Sequence, residues 1–462
     1  MRAIAGVNFL LAGSTSDSQS GDAMSLDSMN RPPLAAGRTR HVRGGRQKYD
    51  VVFQKSYLDL AAVFLIALSY PLGFGTSSVL VISSIVVVTN LSVLLACRSV
   101  AILVLLGALT ALSAGFLTYW SDAPFSFHQA LYRTILVASG LLSILAIYSI
   151  RSRLADKQLL VSYGVGLFFS FLLANNMGLA SFKFILALPL ALVFGGLLWQ
   201  RRSVLVVYLL LGATGMAFGA RSFSAFCLAA ALLHLVSAIW GRRPVRSVEI
   251  RFMGVCAFFA ALGVAFYLAG VQLLLSGLLG AQNREKTAQQ LTATGNLISS
   301  ARPEWFASIN LGLQSPFGKG PGAIPLSSDV STARTGLLRG GYTSDGDYVR
   351  GYMLGGHFNL HSVLADLWIG FGVAGFAFGL YMLFLLLRHL LRGVAFGGLT
   401  AVTAFCSLNA IWYLFFGPIT SNLYFVCFAV ALVLPMRTTG KTDSASRMIV
   451  NGQSVTQAGL VE

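Results

Sequence analysis

The chain has 462 residues, 56% of them hydrophobic and only 11% charged, where soluble domains carry about 25% charged residues. With a mean hydropathy of +0.73 this excludes a single water-soluble core and points to an all-α polytopic membrane protein. A net charge of +17 suggests nucleic acid in a soluble protein, but here the cations gather at the ends of apolar stretches, so we expect no nucleic-acid partner and read them as orientation signals and contacts to anionic membrane lipids.

Residues 1–56 are rich in Ser, Gly and Arg, contain Pro32-Pro33 and a basic run from Arg38 to Lys48, and read as a disordered cytoplasmic tail. Nine apolar helices are predicted across 57–280, near 58–73, 77–97, 99–118, 130–150, 158–176, 181–200, 203–220, 223–241 and 253–279. A polar loop follows at 281–360. Three more helices, near 362–387, 395–415 and 418–435, fill 361–436, and 437–462 is a second cytoplasmic tail. Frequent glycine (48 residues) suits close helix packing in lipid. Cys97, Cys227, Cys256, Cys406 and Cys427 all fall in apolar stretches without a CxxC pair and read as small core residues.

Twelve spans with both termini inside put 23 of the 33 Lys and Arg on one side, the cytoplasmic one. The long loop is then outside, in the periplasm of a bacterium. Ten cations defy the rule: Arg133, Lys183, Arg221, and Arg284, Lys286, Arg302, Lys319, Arg334, Arg339 and Arg350 in the loop. Cations at an outer helix end either snorkel to lipid phosphate or face a pocket that grips an anion.

The loop carries the chemistry. Arg302 precedes Pro303, Glu304 and Trp305, a helix start followed by an amphipathic stretch expected to lie on the membrane. Gly318-Lys-Gly-Pro-Gly322 lets a backbone approach a neighbour closely but lacks the spacing of a P-loop, so no nucleotide is expected. Arg334, Arg339 and Arg350 form a second basic group. Asp345-Gly-Asp347 resembles a cation-diphosphate motif, though Gly-flanked acids are commonly solvated turns. His357 and His361, four apart, share a face if helical, but no third ligand is evident and no metal is expected. Asp366 sits inside the next helix, where an acid pairs with a cation or marks a polar cavity. A neutral His361 can take a proton from a sugar hydroxyl.

His361-Ser362, nine residues, then Gly372-Val-Ala-Gly375 resembles the signature of the O-antigen ligase and polysaccharide polymerase superfamily of bacterial membrane glycosyltransferases. Arg302 to Trp305, Pro316 to Gly322 and Ala220-Arg221-Ser222 are similar to further family patterns, the last with alanine in place of serine. The resemblance covers about residues 200–385 by motif. It implies transfer of a glycan from undecaprenyl pyrophosphate to an acceptor hydroxyl, with His361 as base, no cofactor, and no metal. Arg221 and Arg302 are the expected grip on the pyrophosphate, backed by Arg133 and Lys183, with His357, Asp366 and Trp305 expected in support. The acceptor is a sugar in polymerisation of O-antigen or exopolysaccharide, or lipid A core in ligation, and other polysaccharide-assembly proteins are further partners. A transporter or flippase of lipid-linked sugar uses the same outer cations and remains the alternative of a different class.

Overall fold

In the computed structural model the described residues are 45–73, 76–91, 97–120, 124–174, 182–199, 201, 203–241, 248–278, 280–295, 302–342 and 347–436. The tails at 1–44 and 437–462, together with Arg202, Arg242, Arg243, Arg246 and Asp345, lie outside them. Val51–Glu462 forms one compact unit.

The chain is helical in each of its apolar stretches. In order these are α1 (Gly45–Leu68), α2 (Ser78–Thr89), α3 (Arg98–Trp120), α4 (Phe127–Arg151), α5 (Asp156–Ala174), a π-helical turn at Phe182–Leu186 leading into α6 (Ala187–Leu197), α7 (Ser203–Ala217), α8 (Arg221–Trp240) and α9 (Val248–Leu275). The loop contributes α10 (Ala281–Thr294), α11 (Glu304–Gln314), α12 (Ser327–Arg339) and a second π-helical turn at Tyr348–Met353. The chain re-enters the bundle as α13 (Val363–Phe396), α14 (Ala401–Phe416) and α15 (Ile419–Val433). Five of these helices are long and apolar enough to cross a membrane, in α3, α4, α8, α9 and α13, and six more are apolar but shorter. The protein is a membrane protein built from helices. Val88, Leu112 and Phe116 point outward and suit contact with lipid.

Several expected edges move: α1 starts at Gly45, inside the tail expected at 1–56, and α2 stops at Thr89 rather than near 97. Residues 69–73 do not continue the first helix; Pro71–Gly73 and Thr76–Ser77 pair as a small hairpin (β1 and β2), because Pro71 cannot donate and Gly73 takes φ +94°. The helix expected to stop near 387 runs on to Phe396. Its leucine-rich sequence carries no proline, and the helix ends at Gly397 and Gly398, both at positive φ, so Arg388 and Arg392 lie inside it. The cysteines are all free; Cys227, Cys406 and Cys427 are core residues as expected, whereas Cys256 is exposed, since α9 packs on little besides α10 and α13.

The central helix is α13, which packs on α3, α8, α9, α14 and α15 and on α11 of the loop. Close packing depends on glycine: at Gly166 of α5 a Cβ would lie 2.4 Å from the Phe64 carbonyl oxygen of α1. Tyr163 stacks on Phe428 with ring centres 3.7 Å apart. Polar ties gather at one end of α4, where Arg151 pairs with Asp156 at 2.7 Å and Arg153 with Asp59 at 2.6 Å. Ser126, which caps α4 at its other end, bonds through its N–H to the Gly322 carbonyl of the loop. The 25 residues of α4 span about 37 Å. The loop and the arginine–aspartate ties therefore sit at opposite ends of the bundle.

Candidate functional site

The loop docks on α13 through a kink. Gly372 adopts φ +65°, ψ −154°, a region open to glycine alone, and interrupts the helical hydrogen bonds. Its neighbours supply replacements: Lys319 N–H donates to Ile369 O at 2.7 Å, and Ser113 Oγ donates to Phe371 O at 2.8 Å. A Cβ on Gly372 would lie 2.1 Å from Phe317 O, and one on Gly318 2.6 Å from Gly372 N. The glycines of 318–322 thus approach a helix backbone. Lys319 pairs with buried Asp329 at 2.6 Å and holds the loop to α12. Gly372→Ala is expected to lower stability by at least about 1–3 kcal/mol from backbone strain alone. A lower melting temperature in detergent checks this, and an unchanged one would refute it.

Beyond the second π-helical turn the chain bends through Gly356 and buries Phe358 and Leu360. This bend is held from below. Arg133, 5% exposed, donates from Nη2 to the Phe358 carbonyl. Asp366, 2% exposed, accepts from Leu360 N–H (3.0 Å) and Ile419 N–H (3.2 Å), and lies within electrostatic range of Arg133. Ser362 caps α13, accepting from Ala365 N–H, and donates to Leu414 O at 2.9 Å. Between these anchors His361 is forced to φ +50°, a left-handed conformation that costs a non-glycine residue about 1–2 kcal/mol. His357 and His361 lie in this bend and not on one helix, so their spacing does not give a shared face. No metal-binding group of His, Cys, Asp or Glu occurs among the described residues.

The His361 ring stacks on Tyr352 with centres 4.5 Å apart and planes 9° from parallel. Its Nε2 is enclosed and makes no hydrogen bond. Burial pushes the imidazole below its ordinary range; the Glu304 charge opposes this and the Arg302 charge adds to it. His357 is pushed the same way by burial, then by Arg133. A neutral imidazole at pH 7 can accept a proton.

Facing His361 is the start of α11, fixed by Pro303. The amphipathic stretch expected here is this helix, and its buried face, Ala307, Ser308, Leu311 and Gly312, serves the contacts with α12 and α13. Glu304 is buried and accepts from Tyr348 Oη at 2.5 Å. Arg302 lies over the faces of Trp412 (5.4 Å) and Phe416 (5.8 Å), and Trp305 packs on Phe415 (5.4 Å). Such aromatic faces hold a guanidinium in place while its N–H groups stay available.

A group of cations adjoins this. The charges bearing on Lys183, on the first π-helical turn, are those of Arg302, Lys286 and Arg221. Arg221, at the first position of α8, also donates to Thr287 Oγ1 of α10 at 3.3 Å. Arg302 is the common member: its charge bears on both His361 and Lys183, and Arg221 and Lys286 bear on Lys183. Arg133 and Asp366 lie under the histidine bend, and the second basic group is dispersed: Arg339 is bonded to Asn310, while Arg334 and Arg350 are exposed. Asp347 is exposed at the start of the second π-helical turn.

Tyr348, Tyr352, Trp412 and Phe416 carry no signal in the sequence, whereas Glu304 and Lys286 stand out there only as members of the loop's charged string and of the outer cations, without a role. Two open surface grooves occur elsewhere. One is polar, lined by Asn310, Gln314, Thr332 and Arg339; the other is apolar, between α3 and α13. No family model, curated protein or solved structure matches the chain.

Proposed function

We propose that the protein is a metal-independent glycosyltransferase of the O-antigen ligase and polysaccharide polymerase superfamily, acting in O-antigen or exopolysaccharide polymerisation. In this reading the chain crosses the bacterial inner membrane twelve times, both termini are cytoplasmic, and the loop works in the periplasm. The donor is a glycan on undecaprenyl pyrophosphate. His361 takes the proton of an acceptor hydroxyl, whose oxygen forms a bond to the anomeric carbon. The bond from that carbon to the pyrophosphate breaks, and the lipid pyrophosphate leaves with the electron pair. Arg221, Arg302 and Lys183 offset its charge, as fixed cations do in a site of low polarity. Arg133 and Asp366 act through the bend that carries His361.

The observation that supports this reading is Arg302, seated on Trp412 and Phe416, whose charge bears on both His361 and Lys183, with Arg221 also bearing on Lys183. Arg221→Ala and Arg302→Ala are each expected to weaken binding of the lipid pyrophosphate roughly tenfold to hundredfold, the loss of one charged hydrogen bond. Binding of labelled donor to purified protein measures this, and wild-type affinity in both variants would refute the clamp. Glycan from a deletion strain separates the two acceptors: single repeats on lipid A core mean a lost polymerase, and unattached full-length chains a lost ligase.

A further inference from the structure

Glu304 is a buried carboxylate with unusual company. It is 8% exposed, yet among the described residues no lysine or arginine forms an ion pair with it. Among the described residues its side chain accepts one hydrogen bond, from Tyr348 Oη, at 2.5 Å. A carboxylate taken out of water needs compensation, and one tyrosine supplies part of it. Tyr348 stacks on Tyr352 (5.2 Å), and Tyr352 stacks on His361 (4.5 Å), so the carboxylate and the imidazole belong to one packed unit. The charge of Glu304 reaches both His361 and Tyr352. The other buried acid nearby, Asp366, is already committed to Leu360 N–H, Ile419 N–H and the charge of Arg133.

We infer that Glu304 is a positioning residue for His361: held by Tyr348, its carboxylate stabilises the imidazolium formed when His361 takes the acceptor's proton. This rests on the reading of His361 as the base. The cation that buried Glu304 lacks at rest is then the one the reaction creates. Tyr352, lying flat on the ring, holds the imidazole's plane and adds a cation–π contact once it is charged. Burial and, after it, the charge of Arg302 at the start of α11 oppose Glu304. They keep His361 neutral before the proton arrives. Glu304 and Tyr348 do not touch the acceptor in this scheme and act through the histidine.

The sign of the effect follows. His361 works as a base only when neutral, so the acid limb of the pH–rate profile reports its titration. The Glu304 charge raises that titration point. In Glu304→Gln, which keeps an acceptor for Tyr348, His361 should titrate at lower pH, and the acid limb should move to lower pH with it. The maximal rate should fall roughly tenfold, less than loss of the base itself, because a weaker base remains. Ring-labelled histidine NMR of the full protein in nanodiscs, with the signal assigned by His361→Ala, reads the titration without any turnover. Glu304→Asp, which keeps the charge, should move both measurements back toward wild type. An unchanged His361 titration and acid limb in Glu304→Gln overturn the inference, even if its rate falls and even if His361→Ala abolishes transfer. Full transfer by His361→Ala overturns the parent reading and with it the role of Glu304 in the reaction.

Discussion

Replacing His361 by alanine is expected to reduce glycan transfer by about 10²–10⁴-fold, the range that a positioned general base contributes. Donor binding should stay near wild type, because the clamp cations Arg221, Arg302 and Lys183 sit on α8, before α11 and on the first π-helical turn. The local backbone supports a role for the side chain. A left-handed histidine is kept at φ +50° between a buried bend and a helix cap, where glycine would satisfy the geometry without strain. His361→Ala therefore removes the imidazole without relieving the backbone, and the bend should persist. Labelled lipid-linked glycan with purified protein gives the rate, and the same donor without acceptor gives the affinity. Full activity in His361→Ala sinks the base assignment. A loss of donor binding equal to the loss of rate would place His361 in binding instead.

Much of the layout was legible because lipid imposes simple rules. Long apolar stretches became helices, and the one polar interval became the loop end of the bundle. Arg221, Lys183 and Arg302 were legible as exceptions to the expected charge placement, and the charges of Arg302 and Arg221 both bear on Lys183. The glycines after His361 were legible only as spacing; their physical use, a kink at Gly372 whose freed carbonyls accept from the loop and from α3, depends on Lys319 and Ser113, distant in sequence. The same limit hid Glu304. Its neighbours Tyr348 and His361 lie 44 and 57 residues away, and nothing in a single sequence sets that register. Arg133 shows the complementary case. A lone cation inside an apolar helix reads as a ligand grip or a lipid anchor until Phe358 and Asp366 arrive beside it.

That arrangement yields the largest expected effect on stability. Asp366→Ala should destabilise the protein by about 2–6 kcal/mol, about 1–3 for each of two buried N–H groups left without an acceptor. The Leu360 and Ile419 N–H groups lose their partner at once, and Arg133, bonded to Phe358 O and within electrostatic range of Asp366, loses its counter-charge. Asp366→Asn is a sharper probe, since it keeps the shape. An amide can accept from only one of the two N–H groups, and its NH₂ then faces the other donor, while Arg133 loses its counter-charge. Both variants should melt at lower temperature in detergent, and both should lose transfer, since the strands of the bend that fix His361 hang on this carboxylate. Arg133→Met combined with Asp366→Leu removes both charges together and should recover part of the lost stability, as buried ion pairs replaced by apolar side chains often do. It should not recover transfer, because Phe358 O and Leu360 N–H, the two points that hold the bend on either side of Asn359, would still have no anchor. A double variant that melts no higher than Asp366→Ala would mean that Arg133 and Asp366 are not coupled. One that regains full transfer would mean that the bend holds His361 without them.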